Sequence, residues 1–473
     1  MASKVSNTSA HPGFARALRV FQRAAVDVPA YGKFLADNGV DPTLVRTPAD
    51  FARVPATTKD NYVRAYPLNE LLPGGDITAA GTFSASSGSS GAPTYWARAC
   101  LSHDQGVELH ARIMRGFGAD TRPTLVIVGF SMGDWIGGTY TFRCLADLPA
   151  HGVPVSVLTP GMDIDLIRAD IAALGPYYDQ VVVAGYPPFV RDVFDGAPAA
   201  VLDQDLKVLM AGEGISEGWR DNLLALLGKP GRTQDTCLIY GAADAGMFGH
   251  ETPRTIAIRR RAERDPHVRA ALFGEEMVVP SLVEYDPAYR YFETDESGRL
   301  ICTLANAMPL IRYRINDEGD VHTGAQLSAA LGQSRRVASC ADPARGFVSV
   351  RGRRDVAQSF YSVKFAPDNI RAALASASVA DQATGKFVLR KTTDAAGADR
   401  LRLLVELRPD HQPGAAFADD VRHVFVTTLC AASAEYRDLC TRIGDRARPI
   451  VEPRPYGSAE FRYQLKHDGR AGE

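Results

Sequence analysis

The sequence lacks a paired cysteine motif, a large net charge and a long apolar run. Its seven cysteines, Cys100, Cys144, Cys237, Cys302, Cys340, Cys430 and Cys440, are scattered, with no C-x-x-C among them. That argues against a disulfide frame or a zinc knuckle and for reduced thiols in a cytoplasmic protein. A formal charge of −2 gives no footprint for nucleic acid or an anionic membrane. No apolar run reaches membrane-spanning length. The opening residues MASKVSNTSAHPG lack the apolar core of a signal peptide. What remains is 473 residues with 45% hydrophobic and 23% charged side chains. This is ordinary globular composition, long enough for two or three domains.

Residues 14–40 read as helix, with Phe14, Leu18, Phe21 and Val26 on the apolar face. From Leu125 onward, short β-rich runs end in Gly or Pro turns: LVIVGF, VPVSVLTPG, VVVAGYPP, LKVLMAGEG and CLIYGAAD. Helix-length segments separate several of them, which implies α/β layers around a largely parallel sheet. Ligands of such sheets bind beyond the strands' carboxyl ends, so the Gly-rich tails are candidate pocket walls. Residues 278–322 change to successive strands and turns, read as an antiparallel sheet or small barrel. Composition shifts again near Gly352. The boundary is placed at Arg353–Asp355, giving a large domain over 1–353 and a small α+β domain over 354–473.

Residues 84–94, SASSGSSGAPT, are almost all small or hydroxylic. Ser86, Ser87, Ser89 and Ser90 offer hydroxyls, and Gly88 and Gly91 allow close backbone approach, which suits a polyphosphate. Alone, such a run is more often a flexible surface turn.

Other segments accompany it in a fixed order: AGEGISE (211–217), YGAAD (240–244), MPLIRYRINDEGDV (308–321) and GRRDVAQSFYSVKFAP (352–367), preceded by VPAYGKFLADNGVDP and TPADFARVPATTKDNYVRAYP. Together they resemble the adenylate-forming ligases, and specifically the phenylacetate–CoA ligase family. The resemblance implies that a carboxylic acid attacks the α-phosphate of ATP, giving an acyl-adenylate and pyrophosphate. An acceptor, CoA or an amine, then displaces AMP while the C-terminal domain swivels. No nucleic-acid or membrane partner is expected. The oligomeric state stays open, a homodimer being one option.

The same resemblance implies roles for single residues. Glu213 and Gly214 fall at the adenine edge, Tyr240 and Gly241 against adenine, and Asp317 on the ribose diol. A carboxylate is a natural acceptor for two hydroxyls, although an Arg–Asp surface pair with Arg312 or Arg314 is the plainer alternative. Asp244 stands where the family has a Mg²⁺-binding Glu, one methylene shorter. Arg353 faces ribose or phosphate, Asp355 is the pivot, and Lys364 is a spare cation. Trp135, Gly137 and Gly138, then Tyr186, Pro188 and Phe189, then Ala242 and Ala243 would wall a pocket for an aromatic or compact acid. His103, His110 and His250 are scattered and read as surface or satisfied core, His250 also as a neighbour of the site.

Three departures stand out. Ala92 replaces the loop lysine, Ser362 replaces a glycine on the thiol's path, and Glu460 aligns with the C-terminal catalytic lysine. Lys466 or Lys364 is the expected substitute. Losing one well-placed donor costs roughly 3–4 kcal/mol. A carboxylate there also repels the developing charge, so ligase-fold binding without adenylation is a further alternative.

Overall fold

The computed structural model describes residues 13–86, 93–274, 279–331, 345–353, 358–394 and 398–461, with the backbone alone for Arg353 and Asp368. The runs read as strands form β3 (Thr124–Val128), β4 (Val155–Leu158), β5 (Gln180–Gly185), β6 (Leu206–Ala211) and β7 (Thr236–Ala242). They pair in parallel in the order β4-β3-β5-β6-β7. Every residue of β3 and β5 is buried. Covered on both faces, these strands need continuous β-branched runs, not alternation.

The antiparallel strands expected after residue 278 are present, and they extend the same sheet. Through β8 (Gly246–His250) it continues to β9 (Ser281–Tyr285), β13 (Gly346–Arg353), β12 (Leu310–Thr323), β11 (Arg299–Leu304) and β10 (Tyr291–Thr294), giving eleven strands. The hairpin β1 (Thr82–Ser86) and β2 (Thr94–Arg98) flanks the serine-glycine loop, whose residues Ser87, Gly88, Ser89, Ser90, Gly91 and Ala92 lie outside the described residues. Beyond residue 357 come the two-stranded pair β14 (Gln358–Phe360) and β15 (Val363–Phe365), then β16 (Ala383–Thr393), β17 (Asp399–Leu407) and β18 (Ile450–Arg454). The apolar cluster of β3, β5 and β6 continues into Phe360, Phe365, Leu403 and Phe425 of this segment.

The N-terminal helix read over 14–40 is broken. Helices Phe14–Asp27 and Pro29–Asp37 meet at Val28, because Pro29 has no N–H to continue the first and its ring suits the first turn of the second. The next segment is sewn onto β12. Thr57 N–H donates to Arg312 O at 3.1 Å and Arg314 N–H to Thr57 O at 2.9 Å. Arg312 has φ 43° and turns its guanidinium back, donating to Ala52 O at 2.6 Å and Glu293 at 3.1 Å. Arg314 pairs with Asp295 at 3.1 Å. Neither arginine forms the surface pair with Asp317 that the sequence allowed.

Candidate functional site

A cavity of roughly 480 Å³ opens beyond the carboxyl ends of β3, β5, β6 and β7. Open sheets of this kind bind ligands there. Its lining brings Ser86, Asp244, Asp317 and Lys364 together with Trp135, Gly137, Tyr186, Gly241, Ala242 and Ala243. All ten were singled out from sequence.

Asp317 lies opposite Arg353 in the β12–β13 register, and its Oδ2 accepts from Tyr240 Oη at 2.8 Å. Tyr240, expected against adenine, does not itself line the cavity, and its ring packs against Phe248 at 5.0 Å. Asp244 Oδ2 accepts from Tyr313 Oη at 2.6 Å, and Lys59 Nζ stands 3.5 Å from Oδ1. Ser86 Oγ accepts from Trp96 Nε1 at 3.0 Å and lies 3.4 Å from Lys59 Nζ.

Lys59 is the principal residue that sequence reasoning missed. Thr58 caps the helical turn Lys59–Val63 reciprocally with Asn61, and the bridge from Thr57 to Tyr313 fixes its origin. The cation thus projects beside the end of β1 and over the Trp96 ring at 5.4 Å. Its only sequence signal is the S/T-x-x-N cap pattern before it. Glu435, Asp438 and Leu439 of helix Ala434–Ile443, which also line the cavity, were missed as well.

Several expected wall residues sit elsewhere. Phe189 and Pro188 are buried, Phe189 with no exposure in the core beneath β5, because the helix that follows Tyr186 turns its apolar face inward. Gly138 does not line the cavity: an added Cβ would lie 2.4 Å from Ser131 O, so this glycine lets a helix touch a loop backbone. Gly137 does line it, and its missing Cβ leaves room for Tyr186 Oη at 3.3 Å. Burial pushes the Tyr186 phenol up to about 12.

The AGEGISE turn meets the cavity through Ala211 and Gly212, not through Glu213 and Gly214. Glu213 instead accepts from Lys391 Nζ at 2.6 Å and from Ser362 N–H at 3.3 Å. Burial pushes its carboxyl upward against the pull of Lys391. Gly214 packs on Ser281. The turn is held from behind by Arg259, which donates to Ile215 O at 2.6 Å. Glu251 belongs to a buried network with Arg220 and Arg259, and His250 hydrogen-bonds the Glu251 carbonyl at 2.8 Å without reaching the cavity.

Asp355 and Lys466 lie outside the described residues. Glu460 does not line the cavity. It faces Arg454 at 3.3 Å, on a surface groove with Arg390 and Arg402. Among the described residues no three His, Cys, Asp or Glu side chains group as a metal site. No helix among them is long and apolar enough to cross a membrane.

No family model matches the chain. Phenylacetate-coenzyme A ligase of Aromatoleum evansii is 25% identical over 297 residues, 63% of this chain and 62% of that one, so the chain matches less than two thirds of the relative's length. The crystal structure of 2-hydroxyisobutyryl-CoA ligase in complex with 2-HIB-AMP and CoA superposes with a TM-score of 0.61 at 18% identity, covering 99% of this chain and 93% of that one. An open conformation of the same ligase gives 0.53 at 17% identity, covering 99% and 95%.

Proposed function

This chain has the fold of the adenylate-forming ligases and resembles phenylacetate–CoA ligase in sequence, and from that premise we propose that it activates a carboxylic acid with ATP. The acid is aromatic or otherwise compact. The products of the first half-reaction are an acyl-adenylate and pyrophosphate. One observation carries this reading: a single cavity joins the carboxylate Asp317 and the cation Lys59 to an aromatic-and-glycine wall built by Trp135, Tyr186 and Gly137.

Asp317, oriented by Tyr240, accepts the two ribose hydroxyls. Lys59 and Ser86 face the phosphates, and Lys59 supplies a cation that the serine-glycine loop, with Ala92 in its sequence, lacks. Lys364 reaches the cavity from β15 and is the described candidate for the charge that builds on the α-phosphate; Lys466 remains the other. Asp244 would supply the protein carboxylate to a magnesium ion brought in with the nucleotide, since Mg²⁺ commonly takes one or two carboxylates beside phosphates. When bound it would neutralise phosphate charge. Residues 1–353 and 354–473 act as the two domains, with Asp355 at the pivot, in a reducing cytoplasm.

The acceptor is CoA or another nucleophile. Ser362 lines the cavity and puts its Oγ where a Cβ of Gly212 would come within 2.5 Å. That narrows the way in for a pantetheine thiol and favours a smaller nucleophile such as an amine.

Acid-dependent exchange of labelled pyrophosphate into ATP tests the first half-reaction over a panel of acids. Product analysis with CoA, amines and water then assigns the acceptor. Absence of exchange with every acid would overturn adenylation and leave a binding protein on the ligase fold.

A further inference from the structure

We infer that Arg98 is a positioning residue for the site: its guanidinium ties the hairpin that carries Ser86 to the turn that carries Asp244, so that the two take hold of a nucleoside triphosphate and its divalent cation as one unit. This rests on the acid-activating reading above and deepens it at that same cavity.

Arg98 ends β2, is 4% exposed, and does not itself line the cavity. Its Nε donates to Ser84 Oγ at 3.1 Å, two residues before Ser86 on β1. Its Nη2 donates to Ala243 O at 2.5 Å, in the turn from β7 to β8 and one residue before Asp244. Gly246, where β8 begins, has φ 78°, and an added Cβ would stand 3.2 Å from Arg98 Nη1. The guanidinium also lies over the Tyr140 ring at 5.4 Å. Ser86, Tyr140, Ala243, Asp244 and Gly246 all line the cavity. One buried fork therefore touches two of the segments that build it.

No backbone ladder does this work. β1 and β2 form a sheet of their own, and neither pairs with β7 or β8. The separation of Ser86 from Asp244 is therefore set by side chains. Lys59 also stands between them, at 3.4 and 3.5 Å, but it lines the cavity and is free to turn toward a ligand. Arg98 is buried and keeps its partners. Among the described residues it forms no ion pair; its acceptors are a hydroxyl and a carbonyl. Burial pushes the guanidinium below its ordinary value, and Tyr140 and Asp244 are among the groups that hold it charged. Charge-assisted bonds of this kind are about twice as strong as neutral ones, and a planar fork fixes their directions. Groups that orient a metal-binding side chain from behind commonly control affinity for the metal.

The test is calorimetric binding of Mg²⁺–ATP and of AMP to wild type, Arg98→Lys, Ser84→Ala and the double variant, beside pyrophosphate exchange. Arg98→Lys keeps the charge but puts a point donor where a planar fork held two acceptors. Its Mg²⁺–ATP affinity should fall by about 10-fold, while AMP affinity, carried by the ribose contact at Asp317, stays unchanged. Ser84→Ala should give a smaller fall of the same kind and add nothing once Arg98→Lys is present. A merely structural role would lower Tm and weaken both ligands alike. Equal Mg²⁺–ATP affinity in wild type and Arg98→Lys, or a parallel loss of both ligands, overturns the inference, and adenylation stands if wild type exchanges pyrophosphate. If no acid supports exchange, adenylation falls, and the Mg²⁺–ATP comparison still decides the role of Arg98. A wild type that binds no Mg²⁺–ATP overturns both. If Arg98→Lys folds poorly, Ser84→Ala decides alone, since it removes a single hydroxyl: an unchanged Mg²⁺–ATP affinity there overturns the inference.

Discussion

Lys391 Nζ lies 2.6 Å from Glu213 Oε2, joining the turn after β6 to β16 in the C-terminal segment. Glu213 is 4% exposed and Lys391 24%. Breaking a pair of this kind leaves a buried charge unmatched. Lys391→Met should therefore cost about 2–3 kcal/mol, at the low end for buried pairs because the lysine keeps some solvent contact. Lys391 also stands 3.6 Å from the buried Asp399, so adding Glu213→Gln should recover only the part of the loss that belongs to Glu213. Urea unfolding of the two single variants and the double variant checks this. A double variant no more stable than Lys391→Met would show that the pair is not the cause.

Lys59 should matter to turnover and little to stability. Its 3.5 Å pair with Asp244 is partly exposed, and such pairs contribute little. A lost donor to developing phosphate charge costs about 10²–10³ in rate. Lys59→Ala is expected to depress pyrophosphate exchange by that order with an unchanged Tm. Exchange at the wild-type rate in a folded Lys59→Ala protein would remove the residue from the site.

Asp317→Ala should weaken ATP and AMP binding while the fold persists. Tyr240→Phe should weaken it less, because it removes only the 2.8 Å bond that orients the carboxylate. Calorimetry with AMP measures both. Asp244→Ala should abolish most of the metal dependence of turnover, read by titrating Mg²⁺ into each variant. Nucleotide affinity equal to wild type in Asp317→Ala would move the ribose site elsewhere.

Much of this arrangement was legible because it follows local rules. Buried parallel strands announce themselves as β-branched runs, and their Gly-rich ends reach the cavity as Tyr186, Gly241 and Ala243. Asp317 was singled out through the family resemblance of MPLIRYRINDEGDV, and the long strand β12 brings it to the cavity. Lys59 and Arg98 were not legible for the opposite reason. Lys59 acquires Ser86, Trp96 and Asp244 as neighbours only when the segment at Thr57 docks on β12. Arg98 becomes informative only when Ser84 Oγ and Ala243 O are both seen to meet its guanidinium. Phe189 and Gly138 failed as wall residues because one helical position separates a pocket face from a core face. Glu213 failed because its partner lies far along the chain, where local sequence carries no sign of it.

Ser362 holds φ at 67° and Tyr361 at 49°, in the left-handed region that favours glycine. Ser362→Gly should relieve that strain and stabilise the protein by about 1 kcal/mol. It should also widen the cavity and raise the rate with CoA relative to amines. Gly212→Ala should do the reverse: its Cβ would meet Ser362 Oγ at 2.5 Å and Tyr186 Cδ1 at 2.9 Å, at a φ of 98°. Combining the two relieves only the serine clash, so the double variant should stay below wild type in Tm. Full recovery would mean that Tyr186 yields easily.

The buried histidines set a direction for stability against pH. Burial pushes both His110 and His250 down to about 4 from 6.5. Their folded forms are neutral, so the unfolded chain takes up protons first as pH falls. The stability these groups contribute is present above 6.5, declines as pH drops from 6.5 toward 4, and levels off below 4. Each contributes a slope of about 1.4 kcal/mol per pH unit in that window. His110→Phe removes one of the two, so the stability difference between wild type and variant should shift toward the variant by that slope between pH 6 and 5. Urea midpoints at pH 7.5, 6 and 5 measure it.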